Sequence, residues 1–386
     1  MKKRIALMGL WDIKNYGDPV LALCTKKLLM DSIPCSEDYD FVEVSLRPNF
    51  KISLIRRLLG AFCWRMASII GLKNKMIIHI SIRQAIDYYS RILKGFNAIV
   101  FVGGGIIKYK IEIFDFIIDA ILKIAKLNKI PVVLNAVGIE GYDSTNERCL
   151  ALKKYLNLPI LKYISTRDDL QTLTKGYFDG NVFVPCKKVA DPAVWAAECF
   201  DVRKDVSSNV VGIGVARGNI FKDYGSNFTA EDMADLYEKV INFFLSKGFS
   251  IELFTNGLNL DNDFLDIVMK RLSDTNVKKR IPSSARNLVE IIASYKAIVT
   301  TRMHAGIIAY SLDVPAIGLV WNDKIKFFWE SAGHPEYCID VAHLNPEDIF
   351  SALRNAIKNG YNQEHKRVFR QTIKDEIAKF ATMLFQ

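Results

Sequence analysis

Residues 297–320 constrain the fold more than any other stretch. A short apolar run at 297–299 reads as a buried strand, and a second at 316–320 reads as another. The apolar segment 305–312 between them is too long for a turn and suits a short helix, stopped by Asp313, Val314 and Pro315. Together they make a β-α-β unit, in which ligands bind where a strand's carboxyl end meets a helix amino end. Arg302 and His304 fall in that turn. A permanent cation and a titratable imidazole two residues apart suit an anionic ligand that undergoes proton transfer. The competing reading makes Arg302 a surface-loop residue and His304 a satisfied polar group at a helix start; the preceding buried strand weighs against it.

A chain of 386 residues is long enough for two domains, and a hydrophobic content of 50% marks it as globular. The formal net charge of +10 favours anionic partners. No nucleic-acid motif or long basic tail is present, so nucleic acid is not expected as a partner. Seven scattered cysteines without a Cys-x-x-Cys pair read as reduced thiols in a cytoplasmic protein, and no metal site is expected. The charged start imitates a signal peptide, but its apolar stretch is too short, and no apolar run approaches a membrane span.

The remainder follows an α/β rhythm. A strand at 4–10 runs into a polar loop holding Asn15, Gly17 and Asp18; Asp18 is placed to cap a helix over 20–30, with Pro19 at its first position. A strand at 97–107 runs into Gly103, Gly104 and Gly105, which permit close approach of a ligand or another backbone. No dinucleotide fingerprint follows, so no nicotinamide cofactor is expected. Segment 51–75 mixes apolar residues with Arg56, Arg57, Arg65, Lys73 and Lys75 and has no acidic residue. It reads either as an amphipathic helix in a membrane interface or as a packed helix with solvated basic residues. A strand at 163–166 breaks into Arg167 and Asp168. A polar stretch at 201–208 reads as the linker, and Arg217 follows the next strand, 209–216. The expected organisation is a first domain at 1–200, a second at 209–360, and a final helix at 361–386 that returns across the domain interface.

These residues resemble the polysaccharide pyruvyl transferases. The likeness is carried, in order, by Asn15-Tyr16-Gly17-Asp18, Val102-Gly103-Gly104-Gly105, Thr166-Arg167-Asp168, Ala190-Asp191-Pro192, Thr301-Arg302-Met303-His304-Ala305, and residues 314–318 with Lys324 beyond. It extends from about residue 4 to residue 340. Departures are Pro19 after Asp18, Met303 where Leu is usual, and the basic segment 51–75. The resemblance implies a glycosyltransferase-B-like α/β fold, with two Rossmann-like domains facing across a cleft. It also implies transfer of a pyruvyl group from phosphoenolpyruvate to a sugar of a cell-surface polysaccharide, or its lipid-linked precursor, as a cyclic ketal.

On that reading His304 and Arg302 are the catalytic residues. The donor meets Arg302, His304 and Lys324, with Arg217 or Arg167 reaching in. The acceptor side is Asn15, Gly17, Asp18, Gly103, Gly104, Gly105 and Asp168; Asp168 serves either as a base toward the sugar or to orient Arg167. Asp191 is read as structural. The chemistry needs a general acid and cations for the phosphate and carboxylate, with no cofactor beyond the donor substrate. The protein is expected in the cytoplasm, peripheral on the membrane's inner face if segment 51–75 meets lipid. One alternative is a nucleotide-sugar glycosyltransferase of the same architecture, for which Glu330 is the candidate ribose ligand. Another is a non-catalytic membrane-surface adaptor.

Overall fold

The computed structural model describes residues 2–47, 73–109, 114–178, 184–273 and 275–385. Most of the basic segment 51–75, and with it the choice between a membrane-interface helix and a packed one, lies outside the described residues. Among the described residues no helix is long and apolar enough to cross a membrane.

Two parallel sheets form. The first contains β1 (Lys3–Gly9), β2 (Tyr39–Ser45), β3 (Ala98–Phe101), β4 (Gly104–Ile107), β5 (Val132–Ile139), β6 (Leu161–Thr166) and β7 (Cys186–Lys188). Its order is β2-β1-β3-β5-β6-β7, and β4 pairs with β5 beyond the end of β3. The run expected as one strand at 97–107 is therefore two strands. Gly103 and Gly104 divide them at φ of 97° and 94°, a left-handed conformation that glycine adopts without Cβ strain.

The second sheet holds β8 (Val210–Gly214), β9 (Ser250–Phe254), β10 (Lys278–Arg280), β11 (Ala297–Thr300), β12 (Ala316–Leu319) and β13 (Cys338–Ile339). Its order, β10-β9-β8-β11-β12-β13, is the doubly wound arrangement. The chain winds outward from β8 in one direction, returns, and winds outward from β11 in the other. The crevice at that reversal lies beyond the carboxyl ends of β8 and β11. At Gly214 a Cβ would lie 2.5 Å from Thr300 Oγ1, so a side chain there would force these two strands apart.

The chain forms two compact units. One comprises Met1–Trp11, Ile33–Lys188 and Phe380–Gln386; the other comprises Asp12–Ser32 and Val189–Lys379. This differs from a division at residue 200. The helix Gly17–Ser32 follows a strand of the first sheet, but its buried residues include Val20, Leu21, Cys24 and Leu28, and it packs on helices Ala196–Phe200 and Ala285–Ala293 of the second unit. The last helix, Gln363–Phe385, belongs to the second unit as far as Lys379 and to the first from Phe380 onward.

Candidate functional site

The early loop and the organising turn of the sequence meet in the second unit. Tyr16 N donates to Asn256 O at 2.8 Å, which lays the loop over the turn after β9. Gly257 makes that seating possible: it sits at φ 97°, and a Cβ there would be 2.4 Å from Lys14 O. Gly17 then rests on His304, where a Cβ would be 2.5 Å from His304 Cβ and 2.8 Å from Nδ1. The helix Met303–Ser311 also starts at this point, so the amino ends of two helices converge on the imidazole. Helix amino ends carry partial positive charge and favour anions.

His304 is buried between two carboxylates. Asp18 Oδ1 lies 3.9 Å from Nδ1, and Asp191 Oδ2 lies 3.7 Å from Nε2. Asp18 is not the helix cap expected from the sequence. Val20 N bonds back to Tyr16 O at 3.0 Å, so the helix starts at Gly17 and Asp18 falls within its first turn. The Asp18 carboxylate is left to meet His304 and to accept from Asn15 Nδ2 at 2.8 Å. Asp191 combines two roles. Its Oδ1 accepts from Ala193 N at 2.8 Å, capping the short turn that begins at Pro192, while Oδ2 faces the imidazole. Asn15 Oδ1 and Asn256 Oδ1 are buried and have no hydrogen-bond partner among the described residues.

The two arginines of this unit stand at the reversal point of the second sheet, Arg217 after β8 and Arg302 after β11. Arg302 is not a bare cation. Its Nε donates to Asp261 Oδ2 at 2.8 Å, and a second guanidinium nitrogen pairs with Oδ1 of the same carboxylate. Asp261 is fully buried and also accepts from Arg217 N at 2.9 Å. The Arg217 side chain pairs with Asp223. Burial, and then the neighbouring Arg302 charge, lower the Arg217 pKa from its ordinary value. Both arginines thus follow adjacent strands of the sheet and share Asp261, which accepts from the Arg217 backbone and from the Arg302 side chain.

Tyr237 ties the two strand ends together. Its hydroxyl meets Thr301 Oγ1 at 3.2 Å and Gly214 O at 3.3 Å. Trp321 donates to Thr301 O and meets Tyr224 edge-on, with ring centroids 4.6 Å apart. Lys324 is half-buried in the first turn of helix Asp323–Ser331, capped by Asn322. Glu330, the ribose ligand of the glycosyltransferase alternative, is exposed on that helix.

Gly103, Gly104, Gly105, Arg167 and Asp168 belong to the first unit. There the Asp168 carboxylate accepts from Thr166 Oγ1 at 2.8 Å, Asp169 N at 2.9 Å and Ile139 N at 3.1 Å, binding the end of β6 to the end of β5. With those donors satisfied on it, the carboxylate serves as a structural tie. A Cβ on Gly138 would lie 3.1 Å from Asp168 Oδ2, 3.1 Å from Gly105 Cα and 3.6 Å from Arg167 Nη2, so both motifs converge on Gly138.

Sequence reasoning did not identify Asp261, Tyr224 or Trp321, and it assigned Asp191 a structural role only. Asp191 was marked by its Ala-Asp-Pro motif. Asp261 carries no local signal, because it stands in an ordinary helical pattern.

Several solved structures share this fold. The UDP-GlcNAc 2-epimerase of Methanocaldococcus jannaschii, in complex with UDP-GlcNAc and UDP, superposes with a TM-score of 0.57 at 13% identity, over 99% of this chain and 100% of that one. The Neisseria meningitidis UDP-GlcNAc 2-epimerase bound to UDP-GlcNAc gives 0.56 at 11% identity, over 99% of each chain. Os79 from O. sativa in complex with UDP gives 0.53 at 10% identity, over 98% of this chain and 100% of that one. These likenesses establish a GT-B fold. No curated protein matches the chain by sequence. The family model for polysaccharide pyruvyl transferase matches residues 15–323, a span that includes the early loop, Asp191, both arginines and His304. The chain therefore belongs to the polysaccharide pyruvyl transferase family.

Proposed function

We propose that the protein transfers the pyruvyl group of phosphoenolpyruvate to two hydroxyls of one sugar, forming a cyclic ketal on a cell-surface polysaccharide or its lipid-linked precursor. The observation that carries this reading is a buried His304 between two carboxylates, in the same unit as two neighbouring guanidiniums at the sheet's reversal point. Phosphoenolpyruvate bears a phosphate and a carboxylate, and its enol must gain a proton before a hydroxyl can add. Arg217 and Arg302 supply fixed positive charge in partial burial, where charge-assisted bonds are strong. Lys324 supplies a further cation for the leaving phosphate. His304 supplies the proton, and Asn15 and Asp18 meet the acceptor. No cofactor beyond the donor takes part, and the reaction belongs to the cytoplasm, where segment 51–75 would hold the enzyme near a lipid-linked acceptor.

Calorimetric titration tests the donor assignment. Phosphoenolpyruvate should bind the wild type and lose at least tenfold in affinity in Arg217→Ala, since one charge-assisted bond contributes about 1.5–3 kcal/mol. Binding of UDP with no binding of phosphoenolpyruvate would favour the glycosyltransferase reading instead.

A further inference from the structure

We propose that His304 works through Nδ1, with Asp18 as its proton-exchange partner and Asp191 as the positioning residue that fixes the ring through Nε2. The inference rests on the phosphoenolpyruvate reading. Its basis is an asymmetry between the two carboxylates. Asp191 is the more deeply buried, with 2% of its side chain exposed against 14% for Asp18. Asp191 is also held rigidly, because one oxygen is committed to Ala193 N and the other faces Nε2. A buried carboxylate against a ring nitrogen selects the tautomer that carries a proton there. Nδ1 is then the nitrogen whose proton comes and goes.

Asp18 faces Nδ1 from the first turn of its helix, and its second oxygen is steadied by Asn15. The separations of 3.7 and 3.9 Å exceed hydrogen-bond length, as catalytic contacts often do before substrate binds. Gly17 allows the ring to lie this close to the helix start.

The proton inventory closes. Protonated Nδ1 gives its proton to the enol methylene, whose π pair forms the new C–H bond and leaves C2 cationic. A sugar hydroxyl adds its lone pair to C2 and releases its proton to Asp18, which returns it to Nδ1. The C2–O bond to phosphate then breaks, with its electron pair leaving on the phosphate. The second hydroxyl adds to C2, and its proton departs on the phosphate. Two hydroxyl protons are released; one replaces the proton now in the methyl group, and the other leaves as hydrogen phosphate.

The test pairs nitrogen-15 NMR of the imidazoles with steady-state kinetics on wild type, Asp191→Asn and Asp18→Asn, using His304→Gln to assign the His304 signals among the five histidines. In Asp191→Asn the new amide oxygen would still accept from Ala193 N, so the melting temperature should hold. The new NH2 would donate to Nε2 and drive the ring proton to Nδ1. Expected results are an Nε2–H ring in the wild type, an Nδ1–H ring in Asp191→Asn, and kcat about 100-fold lower in each Asp variant with KM for phosphoenolpyruvate within about twofold. Wild-type kcat in Asp191→Asn, or a wild-type ring protonated at Nδ1 and not at Nε2, would overturn the inference. If the wild type fails to turn over phosphoenolpyruvate at all, the functional reading falls, and the ring-proton assignment still decides the role of Asp191.

Discussion

At Gly17 a methyl group would lie 2.5 Å from His304 Cβ, so the ring or the helix start must shift to admit it. Gly17→Ala should therefore slow phosphate release from phosphoenolpyruvate at least tenfold, about 1.4 kcal/mol in the barrier, while the protein stays folded. A rate equal to wild type would show that the contact does not matter. Asp261 poses the opposite case, a group whose removal acts first on stability. It is fully buried and holds Arg302 in a two-point ion pair, 41 residues away in sequence. Asp261→Ala leaves a mostly buried guanidinium without its partner and should lower the unfolding free energy in urea by about 3 kcal/mol. The Arg302–His304 pair was legible in the sequence because both residues lie on one strand-to-helix turn. Asp261 was not, because nothing in its own helix marks it and only the sheet's winding brings it to that turn.

Helix Met303–Ser311 is the element that presents the site, and it is apolar on nearly every side and buried along most of its length. At its end Ala309 O accepts from Val314 N at 2.9 Å and Tyr310 O from Asp313 N at 3.3 Å. Lys366, 2% exposed, adds a side-chain donor: Nζ donates to Tyr310 O at 2.6 Å, Ser311 O at 3.2 Å and Asp313 Oδ1 at 2.8 Å. A cation at a helix carboxyl end is also favoured by the helix dipole. Lys366→Met should destabilise the fold by about 2 kcal/mol, the order of a buried acceptor left unmet, read as a lower urea midpoint. Most elements could be read from periodicity, including β8, β9, β11 and β12, because their apolar runs are short and bounded by turns. β10, Lys278–Arg280, could not: three basic residues give no strand signal, and pairing to β9 makes them one. The start of helix Gly17–Ser32 was misplaced for a similar reason, since the Tyr16 carbonyl opens it ahead of Asp18.

At the scale of the whole molecule, two parallel sheets follow from the repeated alternation of strand and helix, whereas the GT-B arrangement was legible only through the family resemblance. The allocation of Asp12–Ser32 to the second unit follows from neither, because it depends on which helices offer Val20, Leu21 and Leu28 an apolar face. The buried phenols set the alkaline limit of the fold. Burial raises the pKa of Tyr89, Tyr177, Tyr295, Tyr310 and Tyr361, and raises that of Tyr237 to about 12. An unfolded tyrosine ionises near 10, so their contribution is full below about pH 10 and is lost as pH rises above it. The urea midpoint should fall above that pH in step with tyrosinate absorbance; a midpoint independent of pH there would contradict it. The proposed reaction is tested by incubating the protein with phosphoenolpyruvate and a panel of polysaccharide-precursor sugars, then following inorganic phosphate and the acceptor product by NMR. One phosphate should be released per cyclic pyruvyl ketal formed, with both lost in His304→Ala. Consumption of a nucleotide sugar with phosphoenolpyruvate left untouched would contradict it.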